Sequence, residues 1–481
     1  MSERMSSADA AFLARESRTA PQHVGQLAIF AEPPAGFGYD RLVQLLEERI
    51  SLAPRYRQKL RMVPGHLGNP LWVDDPRFDI SYHVRRSALP RPGGDAALLE
   101  FGARIQARLL DRSRPLWEVY LVEGLSDGGV AIVTKTHQAI VSERDGIDLM
   151  QVVLDDSPAP RRTVEPIWMP DAEPRPAALV RDAVLDFARR PVALTDTVNA
   201  AAREVRATAE HGSGMLRGLL AVAPALVRRA PTSALQAELS EQRRLAIART
   251  ALREYREVRA AFGGSVNDVV LAAVTGALRG WLLSRASPLR RSSSVRALVP
   301  VSVSIGEDGN PREAMRKPRA ALVRPLLVDL PVGEPDAVLR LAHVTFAMAS
   351  HRASGRAVRA DQLSRLGGFA PPTLHALGAR AATGFTRRMF DVVITNVPGP
   401  QLTMYAAGAR MSEIFPMLPL VPGHAVSVAL TSYDGGVNYG LTGDRDAMPD
   451  ITTLAQLIEE SLDELVTVAR GQRASGDAGR M

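Results

Sequence analysis

The segment Lys135-Thr136-His137-Gln138-Ala139-Ile140-Val141-Ser142-Glu143-Arg144-Asp145-Gly146 holds the residues of this 481-residue chain best suited to moving a proton. His137 can serve as a base near neutral pH, because a free imidazole titrates near 6.5. Gln138 cannot take up a proton usefully; its amide only donates and accepts hydrogen bonds. Ser142 to Asp145 spells Ser-x-x-Asp ahead of an apolar helical run, which is a helix-capping pattern. The competing reading makes Glu143 or Asp145 a relocated acid or base. Asn267 and Asp268 also stand ahead of an apolar helical run. Asn267 could donate to a substrate or hold a wall, and Asp268 could cap the helix. The other histidines, such as His23, His83 and His424, have no ligand spacing, so no metal is expected. The chain has no cysteine. Thiolate zinc sites, disulfides and a cysteine nucleophile are excluded.

Those residues must be positioned by strands and helices, and the periodicity places them. Ser7 to Arg15 reads as a helix and His23 to Phe30 as an alternating strand. Tyr39 to Leu52 and Ala96 to Leu110 are amphipathic helices. Leu116 to Leu125 and Val130 to His137 are apolar β-type runs separated by Ser126-Asp127-Gly128-Gly129, which predicts a hairpin. The second strand ends near His137, since the pattern turns helical through Leu149, Val152 and Val153. In a strand, neighbouring side chains point to opposite faces. An extended His137 therefore points away from where position 138 points, and it reaches that side only through a bulge or a one-residue slip. Otherwise it is a histidine hydrogen-bonded in the core.

Ser157 to Pro176 is proline-rich and reads as a linker. Helical stretches follow from Ala178 to about Arg229. Within them, Met215 to Val227 is too short to span a bilayer, and it is either a packed helix or one lying at a membrane surface. From Arg243 a second region alternates: helix Val266 to Leu283, strands Val295 to Val303 and Ala320 to Leu330, helices Asp336 to His351 and Asp361 to Thr383, strands Asp391 to Thr395, His424 to Thr431 and Val437 to Leu441, and helix Ile451 to Ala469. The pattern predicts an N-terminal half over 1–156, a linker and helical connector over 157–242, a C-terminal half over 243–472 and a disordered tail over 473–481. Each half is an α/β layer.

The net charge is +7 and aromatic residues make up 5%. Basic charge fits phosphorylated cofactors or anionic lipid. The arginines are dispersed, there is no nucleic-acid motif and stacking aromatics are few, so nucleic acid is not an expected partner. Residues 1–12 carry no apolar core of signal-peptide type. A cytoplasmic location is expected, with peripheral contact at the inner membrane or lipid bodies as an extension of it.

Ordered blocks from residue 7 to residue 450 resemble the bacterial wax ester synthase/diacylglycerol acyltransferase family. They are the opening segment Ser7 to Phe30, Pro115-Leu116-Trp117-Glu118, Asn267-Asp268 within Val266 to Leu278, Arg296 to Val301, Thr395 to Pro400, and Ser432-Tyr433-Asp434-Gly435 with Tyr439-Gly440-Leu441. Their ordered combination, rather than any one block, is specific. The resemblance implies two chloramphenicol acetyltransferase-like, condensation-domain-like α/β halves with a tunnel between them. It implies transfer of a fatty acyl group from acyl-CoA, a co-substrate and not a bound cofactor, to diacylglycerol or a long-chain alcohol. Trp117, Asn267 and Asp268 become candidate substrate-binding residues.

The family's catalytic element is HHxxxDG, with the second histidine as general base. Aligned without a gap, His137 takes the first histidine position, Gln138 the second, and Ser142-Glu143 the Asp-Gly. A three-residue insertion would instead make Asp145-Gly146 that pair. Neither alignment puts a histidine at 138. His137 and Gln138 are thus the candidate catalytic pair. A working acyltransferase with an unusual base, a weakened member that binds lipid or acyl-CoA, and a condensation-type enzyme with another acceptor all stay open.

Overall fold

A computed structural model of the chain describes residues 3–31, 33–141, 148–161, 168–189, 234–303, 322–354 and 389–478. Ser142, Glu143, Asp145 and Gly146, the segment Met215 to Val227 and the helix expected over Asp361 to Thr383 lie outside the described residues.

Two large sheets carry the fold. The first runs in the order Val84–Ala88, Trp117–Glu123, Val130–His137, His23–Phe30, Ala409–Met417, Tyr405–Ala406, Leu154–Asp155. Its central strands are apolar on both faces because both faces are covered. Trp117, Val119 and Leu121 enter one core with Ile132, while Tyr120 and Val122 enter another with Ala131 and Val133. The expected hairpin is present: Trp117–Glu123 and Val130–His137 pair antiparallel. Its turn is held by Gly128 in the left-handed region (φ 77°) and by Gly129 N donating to Asp127 Oδ1 at 2.9 Å.

The second sheet runs Leu322–Leu330, Val295–Val303, Val392–Pro398, Val426–Tyr433, Gly436–Asp444, Arg243–Ala251. Helices Val266–Ser284 and Ile451–Ala478 cover it. They approach closely at Gly276, where a Cβ would stand 2.0 Å from Ser461 Oγ, so a larger residue there would displace the Ser461 side chain. Val266–Ser284 is long and apolar enough to cross a membrane, but Val269 to Leu278 is largely buried core in this half.

Two features depart from the expected organisation. The region 243–472 is not confined to one sheet, because Ala409–Met417 pairs antiparallel with His23–Phe30 of the first. The register shifts between Met411 and Glu413. That bulge and the following Pro416 break the period-2 pattern that would have marked the strand. The closing helix runs past Ala469 to Ala478, so residues 473–478, expected in a disordered tail, are helical.

Candidate active site

His137 is the last residue of its strand, and its cross-strand partner is His23. Paired residues on adjacent strands share a face. The two rings accordingly meet edge to face, 5.8 Å apart at 67°. Between them sits Glu16, the residue that ends helix Ser7–Arg15. Its Oε1 lies 3.0 Å from His23 Nε2 and 3.4 Å from His137 Nε2. Its Oε2 accepts from Arg112 Nη2 at 2.7 Å and Nε at 3.1 Å. Both imidazoles and the carboxylate are almost fully buried.

The electrostatics follow from that geometry. Burial alone would raise the Glu16 carboxyl pKa, but the two imidazoles outweigh it and hold the group far below the usual carboxylate range. Burial pulls His23 down to about 4, against the opposing pull of Glu16, so the ring is neutral at pH 7. His137 Nδ1 accepts a hydrogen bond from Ala139 N at 3.0 Å. A neutral His137 therefore carries its proton on Nε2, toward Glu16. Nδ1 is thus engaged, while Nε2 is buried 3.4 Å from Glu16 Oε1 without a hydrogen bond within standard geometry. Lys135, two residues earlier on the same face, is pushed down to about 8 by burial, and its Nζ donates to Arg108 O.

The opposite face of the strand carries a separate polar group. Thr134 and Thr136 alternate with His137 on it. Gln26 N donates to Thr134 Oγ1 at 3.0 Å, and Gln26 Nε2 donates to Asp148 Oδ2. Asp148 caps the short helix Leu149–Val153, and its Oδ1 accepts from Met150 N at 3.2 Å. Burial raises the Asp148 pKa. It also raises that of Tyr56, whose hydroxyl is hydrogen-bonded to Thr136 beside the Asp148 charge. Gln138 sits one residue past the strand end, half-buried, with its N–H donated to Gln22 O at 2.9 Å.

The other predicted residues fall elsewhere. Trp117 is fully buried. Its indole N–H donates to Tyr56 O at 2.7 Å, and its ring stacks on His83 at 4.5 Å. With His83 stacked on the ring, Tyr56 edge-on at 5.7 Å and no exposed surface, it packs as a core residue. Asp268 completes a reciprocal cap: its Oδ2 accepts from Ser265 N at 2.8 Å, and its own N–H donates to Ser265 Oγ at 3.2 Å. Asn267 Oδ1 accepts from Asn396 Nδ2 at 3.2 Å, which joins the Asn-Asp motif to the Thr395–Pro400 motif. No described contact links that pair to the Glu16 cluster. Sequence reasoning did not single out Glu16, Arg112 or Asn396. Only the strand pairing of His23 with His137 could have pointed to the first.

Two α/β sheets exchanging a strand define the chloramphenicol acetyltransferase-like acyltransferase class, which condensation domains share. The first condensation domain of the calcium-dependent antibiotic synthetase, 17% identical, superposes with a TM-score of 0.54 over 98% of this chain and 96% of that one, a likeness of fold alone. Residues 5–270 match the wax ester synthase/diacylglycerol acyltransferase catalytic domain, and residues 323–466 match the C-terminal domain of the same family. The chain belongs to that family and is an acyltransferase. A probable diacylglycerol O-acyltransferase of Mycobacterium tuberculosis, tgs2, is 32% identical over 95% of this chain and 97% of its own length. Another, tgs3, is 42% identical over 54% of this chain and 97% of its own length. The wax ester synthase/diacylglycerol acyltransferase from Marinobacter aquaeolei VT8 is 28% identical, with a TM-score of 0.67 over 97% of this chain and 99% of that one.

Proposed function

We propose that this acyltransferase moves a fatty acyl group from acyl-CoA to the free hydroxyl of diacylglycerol, giving triacylglycerol, with long-chain alcohols as a second class of acceptor. The observation that carries this reading is the end-to-end likeness to relatives named for diacylglycerol acylation. In the reaction the hydroxyl oxygen attacks the thioester carbonyl. A C–O bond forms, the C–S bond breaks, and the hydroxyl proton ends on the departing thiolate. Insoluble acceptor and product would call for peripheral contact with the inner membrane or lipid bodies.

Histidine at position 138 would take that proton during attack; Gln138 can only orient the hydroxyl by hydrogen bonding. In this reading His137 and Gln138 divide the work. Gln138 meets the acceptor. His137, fixed by Glu16 and by Ala139 N–H, holds the turn that carries it, and it becomes a base only by releasing one of those contacts. Asn267 is the remaining polar candidate for substrate, since no described residue accepts from its Nδ2. Missing a general base lowers a rate by about 10²- to 10⁴-fold, so turnover is slow.

A second reading, a member that binds acyl-CoA or lipid with little turnover, is favoured by Gln138 and by the burial of His137, whose Nδ1 is taken by Ala139 N–H. One assay separates the two. Purified protein is incubated with radiolabelled palmitoyl-CoA and diolein. Labelled triacylglycerol supports the transferase reading, and no product above background across several acyl-CoAs and alcohols overturns it.

A further inference from the structure

Helix Asp95–Ala107 of the first half and strand Arg243–Ala251 of the second border a groove of about 980 Å³. Five exposed arginines from four segments line it. Arg18 lies in the turn after Glu16, Arg104 is in the last turn of the helix and Arg108 caps it, Arg244 is the second residue of the strand and Arg445 follows strand Gly436–Asp444. None has a carboxylate within ion-pair distance among the described residues. Arg243, also in the lining, is already engaged, with Nη1 3.5 Å from Asp444 Oδ2. Glu100 and Glu241 are the acidic residues in the lining, so positive charge dominates. Leu99, Ala103, Leu245 and Ile451 supply an apolar lining.

Arg244 Nε donates to Arg445 O at 3.3 Å and Arg445 Nη1 donates to Gln242 Oε1, neither of which neutralises charge. Guanidinium groups gathered at one concavity without a counter-carboxylate repel each other, and an anion relieves that repulsion. The guanidinium fork matches phosphate oxygens bidentately. The volume is that of a small-molecule site. The apolar lining suits a flat ring better than more charge. A concave groove with walls from both halves fits a compact polyanion rather than a flat bilayer.

We infer that this groove binds the phosphates and nucleoside of coenzyme A, the polar end of the acyl donor. The inference rests on the acyl-CoA reading above. The groove wall is tied to the buried cluster. Lys135, two residues before His137, donates from Nζ to Arg108 O, and Arg243 donates from Nη2 to Thr19 O beside Arg18. A donor held in the groove would therefore lie next to the strand that ends at His137.

The test uses the full chain and binding rather than turnover. Calorimetric titration with free CoA is run on the parent, on Arg104→Ala/Arg108→Ala and on Arg244→Ala/Arg445→Ala, each pair checked for parental circular dichroism. Each lost phosphate contact is expected to weaken binding by about tenfold or more, so both pairs should lose at least that much. In the parent, 3′-dephospho-CoA should bind more weakly than CoA. Folded double variants that bind CoA like the parent overturn the inference, and so does a parent with no CoA binding. Sedimentation with phosphatidylglycerol/phosphatidylcholine vesicles is run in parallel. Variants that lose vesicle binding but keep CoA affinity assign the arginines to a lipid surface and overturn the inference. The triacylglycerol assay reports separately: product formed by a parent whose groove variants keep its KM for palmitoyl-CoA sinks the groove and leaves the transferase reading standing.

Discussion

His23 and His137 face each other across two adjacent strands, and their Nε2 atoms converge on one buried carboxylate, that of Glu16. The strand that ends at His137 is thereby bound to the start of the chain. The position beside His137, to which the proposed reading assigns the missing base, is occupied by the amide of Gln138.

Removing Glu16 should destabilise the fold strongly. Breaking a buried charge cluster by deleting one partner typically costs about 3–5 kcal/mol, so Glu16→Ala should lower the unfolding free energy from urea titration by that order. Arg112 contacts the same carboxylate from a half-exposed position. Arg112→Ala should cost about 1–3 kcal/mol, less than Glu16→Ala, because it leaves the buried carboxylate facing its two imidazoles. Equal losses from the two variants would contradict the buried cluster.

Stability should fall on acidification in a defined window. His23 and His83 are both held at about 4, mainly by burial, against a free value of 6.5. Between those values the unfolded chain binds more protons than the folded one, so unfolding free energy rises with pH across the window. Lowering the pH from about 6.5 to about 4 should remove a few kcal/mol. Glu16, depressed from 4.5, adds a further loss below that value. His23→Gln should flatten the upper part of the profile, measured by urea unfolding at stepped pH. An unchanged slope in a folded variant would argue against a buried neutral His23.

Trp117 should matter to the fold and not to substrate affinity. Trp117→Phe removes the indole donor to Tyr56 O and opens a cavity beside His83. A loss of about 2–4 kcal/mol is expected. The KM for palmitoyl-CoA should stay within about twofold in the folded variant, since uniform binding is untouched. A large rise in KM without loss of stability would return Trp117 to the substrate.

Asn267→Ala and Asn396→Ala should act as a pair. Each breaks the single described bond between the two motifs. Stability should change by about 1 kcal/mol or less, as for one half-exposed neutral hydrogen bond. Loss of kcat/KM on diolein by Asn267→Ala beyond that of Asn396→Ala would support substrate contact at Asn267. Identical losses in both would assign Asn267 to holding the motifs together.

Much of the scaffold was legible because it rests on local patterns. The hairpin between Glu123 and Val130, the strand ending at His137 and the apolar helix behind Asn267 all declare themselves by period and turn chemistry. What stayed hidden depends on pairing between distant segments. Glu16 and His137 meet only because His23 falls opposite His137 in the strand register, which no local pattern specifies. The strand Ala409–Met417 hides behind its bulge and Pro416. Trp117 reads equally as core or as site until the stacked His83 and the Tyr56 carbonyl are seen around it.

The central claim is that an intact acyltransferase scaffold lacks only its general base, and a single substitution tests it. Steady-state triacylglycerol formation from palmitoyl-CoA and diolein is measured for the parent and for Gln138→His. A restored base should raise kcat by about 10²- to 10⁴-fold with KM little changed. A Gln138→His protein that folds like the parent yet shows no gain in kcat would contradict the account.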